Sequence, residues 1–119
     1  MTKRTTLTKR TTLTRNQVIN LCACFLKAVD AHTNGRLFDV YPDERPEKRQ
    51  NKDRLVVFAE NIAENIHVYA TSQHELRKIG QETLQKNDLS WDNNLGRVLQ
   101  SHGLKSLIPI LDPAGRRAP

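Results

Sequence analysis

Residues 14–31 read TRNQVINLCACFLKAVDA, and this stretch decides the fold. Thr14 and Gln17 have the spacing of a capping box, in which each side chain accepts the other residue's backbone N–H. Apolar residues fill most of the positions that follow. The few polar side chains share one narrow stripe of a helical wheel, and they are Asn20, Lys27 and Asp30. We therefore predict a first helix that is buried over most of its circumference and stops near Gly35. It is either the central core helix or, if one side stays uncovered, a dimer interface.

A second helix is predicted where Asp53 can act as its N-cap. Apolar residues then recur at the i, i+3 and i+4 spacing of one helical face. These residues are Leu55, Val56, Ala59, Ile62, Ala63 and Ile66. The pattern is typical of an amphipathic helix packed against a core.

Two shorter helices are predicted in the last third of the chain. Ser72 begins a second capping-box pattern, and the helix that it starts ends near Asn87. Asp88 or Ser90 then caps a fourth helix, which Gly103 terminates. The third helix runs through Leu76, Ile79, Thr83 and Leu84, and one face of the fourth carries Trp91, Leu95, Val98, Leu99 and His102. Because the connection is short, the pair is a helix-turn-helix candidate.

Two segments have the composition of short strands, residues 36–41 and residues 104–111, the second interrupted by Pro109. Residues 42–54 carry nine charges and two prolines and indicate a solvated loop. The predicted fold is mainly α: a compact four-helix domain with a helix-turn-helix-like pair and room for one short two-stranded element.

The excess positive charge lies at the two ends of the chain. The formal net charge is +6 and the tails contribute +7, so residues 16–115 are close to neutral. We divide the chain into a basic, disordered arm (1–15), one mainly helical domain (16–111) and a C-terminal tail (112–119). A near-neutral body with cationic arms favours arm-assisted binding to a polyanion.

The arm contains the tandem repeat TKRTTL at residues 2–7 and again at residues 8–13. A period of six keeps equivalent residues on one face of a strand but rotates them around a helix. A solvated tail, a DNA-contacting arm and a strand added to a partner's sheet all remain open for this segment.

Cys22 and Cys24 are the only cysteines, and a helix places them about 200° apart. They cannot form a local disulfide, so we interpret them as small buried apolar residues in a reducing, cytoplasmic compartment. Asn20 and Lys27 interrupt the apolar run around them. We therefore expect neither a signal peptide nor a membrane-spanning helix.

The spacings required for a nucleophile, a metal centre or a phosphate-binding loop do not occur. His67 and His74 lie seven residues apart across a predicted helix break, which is not the spacing of metal ligands. We expect a non-catalytic protein with no cofactor and no metal.

The polar side of the fourth helix carries Asn93, Arg97 and Gln100 at positions i, i+4 and i+7. Arginine can bond to guanine, and asparagine or glutamine to adenine, through two hydrogen bonds each in the major groove. Candidate phosphate contacts are Lys3, Arg4, Lys9, Arg10, Arg15, Arg77, Lys78 and Lys105. Against this interpretation, every amphipathic helix has a polar face, and Asp92 at the docking end repels phosphate.

We therefore expect a small nucleic-acid-binding accessory or regulatory protein whose partner is DNA rather than RNA. The alternative is a protein-binding inhibitor or adaptor that acts on another protein or complex. The near-neutral body and the apolar surface of the first helix favour the alternative. The same helix surface predicts a homodimer, and no membrane partner is expected.

Overall fold

A computed structural model describes residues 13–40, 45–46, 52–68 and 72–113, and these residues are mainly helical. The α-helices are α1 (Arg15–His32), α2 (Arg36–Val40), α3 (Lys52–Glu64), α4 (Gln73–Lys86), α5 (Asn93–Ser101) and α6 (Ile108–Leu111). Two 3-10 helices lie at Ile66–Val68 and Lys105–Leu107. The predicted mainly α class is confirmed. Six α-helices replace the predicted four, and the described ranges contain no strand.

Helix α1 is the central element, with α2, α3 and α4 packed around it. Its capping box forms as predicted: the Gln17 N–H donates to Thr14 Oγ1 at 3.2 Å, and the Thr14 N–H donates to Gln17 Oε1 at 2.8 Å. Beyond its last turn Gly35 has a left-handed φ of 82°, and the Gly35 N–H donates to the Asp30 carbonyl at 2.8 Å. The buried side chains of α1 are Val18, Leu21, Cys22, Phe25, Leu26 and Val29.

The strand predicted at residues 36–41 is wrong, because residues 36–40 form α2. The Phe38 N–H donates to Asp30 Oδ1 at 3.3 Å, which ties the start of α2 to the last turn of α1. Leu37 and Phe38 are both buried, and the Phe38 ring packs against Phe58 of α3 with centroids 6.1 Å apart. A segment of five residues is too short for its periodicity to separate helix from strand.

The extended segment predicted at residues 104–111 is also wrong, because it forms the second 3-10 helix and α6. Pro109 lies in the first turn of α6, where a missing N–H breaks no helical hydrogen bond. Nearly every apolar side chain of this segment is buried, and a short, mostly apolar run does not distinguish a buried strand from a buried helix.

Two predicted aspartate caps, Asp53 and Asp88, are wrong, and Asp92 caps α5 in place of Asp88 or Ser90. Helix α3 begins at Lys52, so Asp53 lies inside its first turn and is not its cap. Asp88, predicted as a cap of α5, has a left-handed φ of 59° and closes the end of α4. Asp92 is the N-cap of α5, with its Oδ1 accepting the Leu95 N–H at 2.7 Å. Aspartate suits helix starts and left-handed helix ends alike, so residue type does not separate these roles.

Two other predicted helix boundaries are confirmed. Ser72 caps α4 by accepting the Glu75 N–H at 3.1 Å. Gly103 ends α5 with a left-handed φ of 73°. Asp112, assigned to the C-terminal tail from the sequence, is buried at the end of α6.

Helices α4 and α6 approach so closely at Gly80 that a side chain there would not fit. A Cβ built on Gly80 would lie 2.5 Å from the Ile110 carbonyl oxygen, whereas one on Gly96 of α5 would lie 3.4 Å from ring carbons of Trp91. The first is a clash with backbone and the second an ordinary contact.

We predict that Gly80→Ala destabilises the protein by about 1–3 kcal/mol, because α4 and α6 must move apart. Gly96→Ala is the matched control, and its better helix propensity should leave stability unchanged or raise it by up to ~1 kcal/mol. Urea unfolding of both variants measures the difference. Equal stabilities of the two variants would contradict the close approach.

Candidate nucleic-acid interface

Helix α5 presents Asn93, Arg97 and Gln100 together on one exposed face, while Leu95 and Leu99 on the opposite face are buried. Within the described part of the chain, the three polar side chains make no hydrogen bond or ion pair. Their donors and acceptors are therefore available to a ligand.

The polar side chains at the two ends of α5 are engaged in the helix itself. Asp92 caps the first turn, as described above. Ser101 Oγ donates to the Val98 carbonyl at 2.8 Å, and Nδ1 of His102 lies 2.9 Å from the same carbonyl. Asn93, Arg97 and Gln100 take no part in these hydrogen bonds.

The body holds α5 through apolar contacts at both ends. The Trp91 ring, just before α5, packs against Gly96. After α5, Leu104 is fully buried and leads into the 3-10 helix Lys105–Leu107, which makes the main contacts of α5 with the body. The exposed face of α5 is therefore supported from behind by packed side chains.

The predicted phosphate contacts on the body fall into two groups. Lys105 is exposed and follows α5 directly. Lys78 is exposed and Arg77 is half-buried on α4, whose main contacts are with α1 and α6 and not with α5. Arg77 Nε is shielded from solvent and has no hydrogen-bond partner among the described residues. The structure brings Lys105, but not Arg77 or Lys78, into the segment that carries α5.

The predicted cations of the arm, Lys3, Arg4, Lys9 and Arg10, lie outside the described residues. Arg15 is the first residue of α1 and pairs with Asp53 of α3. Both side chains are exposed, so this ion pair is screened by solvent and contributes little to stability. Arg15 can exchange Asp53 for a phosphate at small cost.

Asp92 determines the electrostatics of the N-terminal end of α5. Helix N-termini attract phosphate because their free N–H groups carry partial positive charge. The exposed Asp92 carboxylate occupies that position and accepts the Leu95 N–H. The N-terminal end of α5 is therefore not a favourable position for a phosphate.

Sequence reasoning missed a polar cluster behind α5. Ser106 Oγ donates to Glu60 Oε2 at 2.8 Å and lies 3.3 Å from Glu64 Oε2. The i, i+4 spacing of the two glutamates places them on one face of α3, but no local signal pairs them with a serine more than 40 residues away.

The thiols, the potential metal ligands and one surface groove provide weaker candidate sites. Cys22 is buried, Cys24 is half-buried, and both thiols are free. The described residues contain no group of three or more metal-ligating His, Cys, Asp or Glu side chains, and none of their helices has the length and apolarity to cross a bilayer. A groove of about 230 Å³ between the start of α1 and the end of α4 is lined by one cation and one anion, Lys86 and Asp88, among amide and leucine side chains.

No protein-family model, curated protein or solved structure matches this chain. Function is therefore inferred from the chemistry of the site alone.

Burial of the Cys22 thiol makes stability depend on pH at the alkaline end. Desolvation raises the pKa of Cys22 from 9.0 to about 12. The thiol of the unfolded chain ionises from pH 9 upward while that of the folded chain stays protonated. The contribution of the protonated Cys22 thiol to the free energy of unfolding is therefore complete below pH 9, and it is lost as the pH rises toward 12.

We predict that raising the pH from 8 to 10 lowers the stability of the wild type by on the order of 1 kcal/mol through Cys22 alone. Cys22→Ala should lack this part of the loss, although its stability at pH 8 is lower because of the cavity. Cys24→Ala serves as the control and should show the same loss of stability between pH 8 and pH 10 as the wild type. Urea titrations at both pH values test this, and identical pH dependence of the wild type and Cys22→Ala would refute it.

Proposed function

We propose that this protein is a small, non-catalytic nucleic-acid-binding accessory or regulatory protein that binds duplex DNA. The proposal rests on one observation: Asn93, Arg97 and Gln100 are exposed on one face of α5 and make no bond to the described part of the protein. Arginine and amide side chains are those that bond bidentately to base edges.

The dimensions of α5 suit the major groove of B-form DNA. Asn93 and Gln100 are seven residues apart, which corresponds to about 10 Å along a helix. That distance spans about three base-pair steps, and a groove about 12 Å wide admits one helix. A-form RNA has a deep and narrow major groove that side chains do not read, so DNA is the favoured partner.

In this proposal the arm supplies affinity and α5 supplies sequence preference. Lys3, Arg4, Lys9 and Arg10 would contact phosphates without regard to sequence, and Arg15 would join them by leaving Asp53. Lys105, which is exposed and directly follows α5, would contact a phosphate beside that helix.

We further propose that α4 and α5 act as a helix-turn-helix-like pair. Six residues, 87–92, connect them, and this connection is longer than the three or four residues usual in that motif. Arg77 and Lys78 on α4 are therefore proposed as additional phosphate contacts that the function of α5 does not require.

The two free thiols fit the reducing conditions of the cytoplasm, where we propose that the protein acts.

The alternative function, an inhibitor or adaptor that binds another protein, has less support. It drew on the apolar surface of α1, but α2, α3 and α4 cover that surface within one chain. The exposed large apolar side chains in the described ranges are Val40, Val57 and Val68, each on a different element. Scattered single residues of this kind are normal on soluble proteins and do not indicate a protein partner or a homodimer.

The first test removes the arm. Leu13 packs against the core, so the deletion should cover residues 2–12 and keep Leu13 and the Thr14 cap. We expect random duplex DNA to bind more weakly, with the slope of log K against log salt shallower by up to roughly 3–4 units. Mobility shifts across a salt series measure this. If the intact protein binds no duplex at low salt, the protein-partner function takes precedence.

The second test replaces Arg97. Arg97→Ala should reduce the preference for a selected site over random duplex by about 1–3 kcal/mol while leaving the salt slope nearly unchanged. Arg36→Ala is the matched control, since Arg36 is an exposed arginine on α2 and the charge change is the same. Equal effects of the two substitutions on site preference would show that α5 does not read bases.

A further inference from the structure

The hydroxyl of Ser106 links α3 to the segment that immediately follows α5. It donates to Glu60 Oε2 at 2.8 Å, across 46 positions of the sequence. The second glutamate, Glu64, lies one helical turn further along α3, with its Oε2 at 3.3 Å from the same hydroxyl. This contact joins the early and late parts of the described chain.

The Glu60 carboxylate depends strongly on this bond. Its other oxygen, Oε1, is shielded from solvent and has no hydrogen-bond partner among the described residues. A half-buried carboxylate with one unsatisfied oxygen loses much of its stabilisation if its one serine donor is removed. Without Ser106, Glu60 would have to turn outward to reach water, and α3 would lose its polar contact with the 3-10 helix.

The location of Ser106 gives the bond its role. The 3-10 helix Lys105–Leu107 packs against α3, α5 and α6, and it makes the main contacts of α5. The flanking Leu104 and Leu107 are fully buried. Apolar burial holds this segment to the body but is not directional, whereas a hydrogen bond to a charged acceptor restricts distance and angle.

We infer that Ser106, held by Glu60, is a positioning residue that fixes the orientation of α5 on the body. This inference rests on the proposed function only where α5 is said to read DNA. Ser106 does not itself contact the ligand. It keeps the exposed face of Asn93, Arg97 and Gln100 at a constant angle to the rest of the protein.

The direct test is amide hydrogen exchange on the full chain. In Ser106→Ala, we expect the amides of α5 to lose about tenfold in protection while those of α1 keep theirs. Ser101→Ala is the matched control, because the Ser101 hydroxyl contacts only its neighbours at the end of α5, the Val98 carbonyl and His102 Nδ1. Its loss should leave the protection of α5 within about twofold. Unchanged protection of α5 in Ser106→Ala, or an equal loss in α1 and α5, would overturn the inference.

Conservative variants separate the hydrogen bond from general destabilisation. Ser106→Thr keeps the hydroxyl and Glu60→Gln keeps an acceptor oxygen, so both should restore most of the protection of α5 that Ser106→Ala loses. If Ser106→Thr behaves like Ser106→Ala although its melting temperature equals that of the wild type, the bond does not position α5.

DNA binding provides the functional readout. With a duplex site selected by the wild type from a random pool, Ser106→Ala should lower the preference for that site about fivefold and leave the salt slope unchanged. A loss of site preference and of random-duplex affinity in equal proportion would count against positioning. If the wild type selects no site, the proposed function fails, and the exchange experiment still decides the role of Ser106.

Discussion

Enclosure of α1 is the constraint on which the rest of the structure depends. Six of its side chains are buried within an arc of about 140° of the helical wheel. The half-buried Ile19, Ala23 and Ala28 flank that arc, so the helix needs more than one neighbour. Helices α2, α3 and α4 provide them. Since this cover comes from the same chain, the apolar sequence of α1 does not require a second copy of the protein.

The remaining helices pack on one another in a series that starts at α1. Helix α4 lies on α1, α6 lies on α4 at Gly80, and the 3-10 helix Lys105–Leu107 lies between α6 and α3. Helix α5 rests mainly on that 3-10 helix and is the outermost element of the series. A peripheral helix can keep one full face in solvent without exposing the core. The angle of that face then depends on the few contacts behind it, among which the Ser106 to Glu60 hydrogen bond is directional.

The sequence correctly predicted several helix boundaries that are fixed by hydrogen bonds between neighbouring residues. The capping box of Thr14 and the caps at Ser72 and Gly103 were correct, because those hydrogen bonds join near neighbours. The spacing of Asn93, Arg97 and Gln100 also predicted a shared face, although their role in binding stays a prediction. Residues 36–41 and 104–111 were misassigned because short, mostly apolar segments take their conformation from the core that they join. The contact between Glu60 and Ser106 depends on tertiary packing, which spacing along the chain does not encode.

The position of Trp91 has a practical consequence. It is the single tryptophan of the chain, and its ring lies against Gly96 with the indole N–H shielded from solvent. Indole fluorescence shifts to longer wavelength when water reaches the ring. The emission of this protein is therefore an intrinsic optical reporter of how closely α5 packs against the other helices. A tryptophan in the central core would respond only to global unfolding. Here it lies beside the outermost helix, where it would register the loosening of that helix while the other helices remain folded.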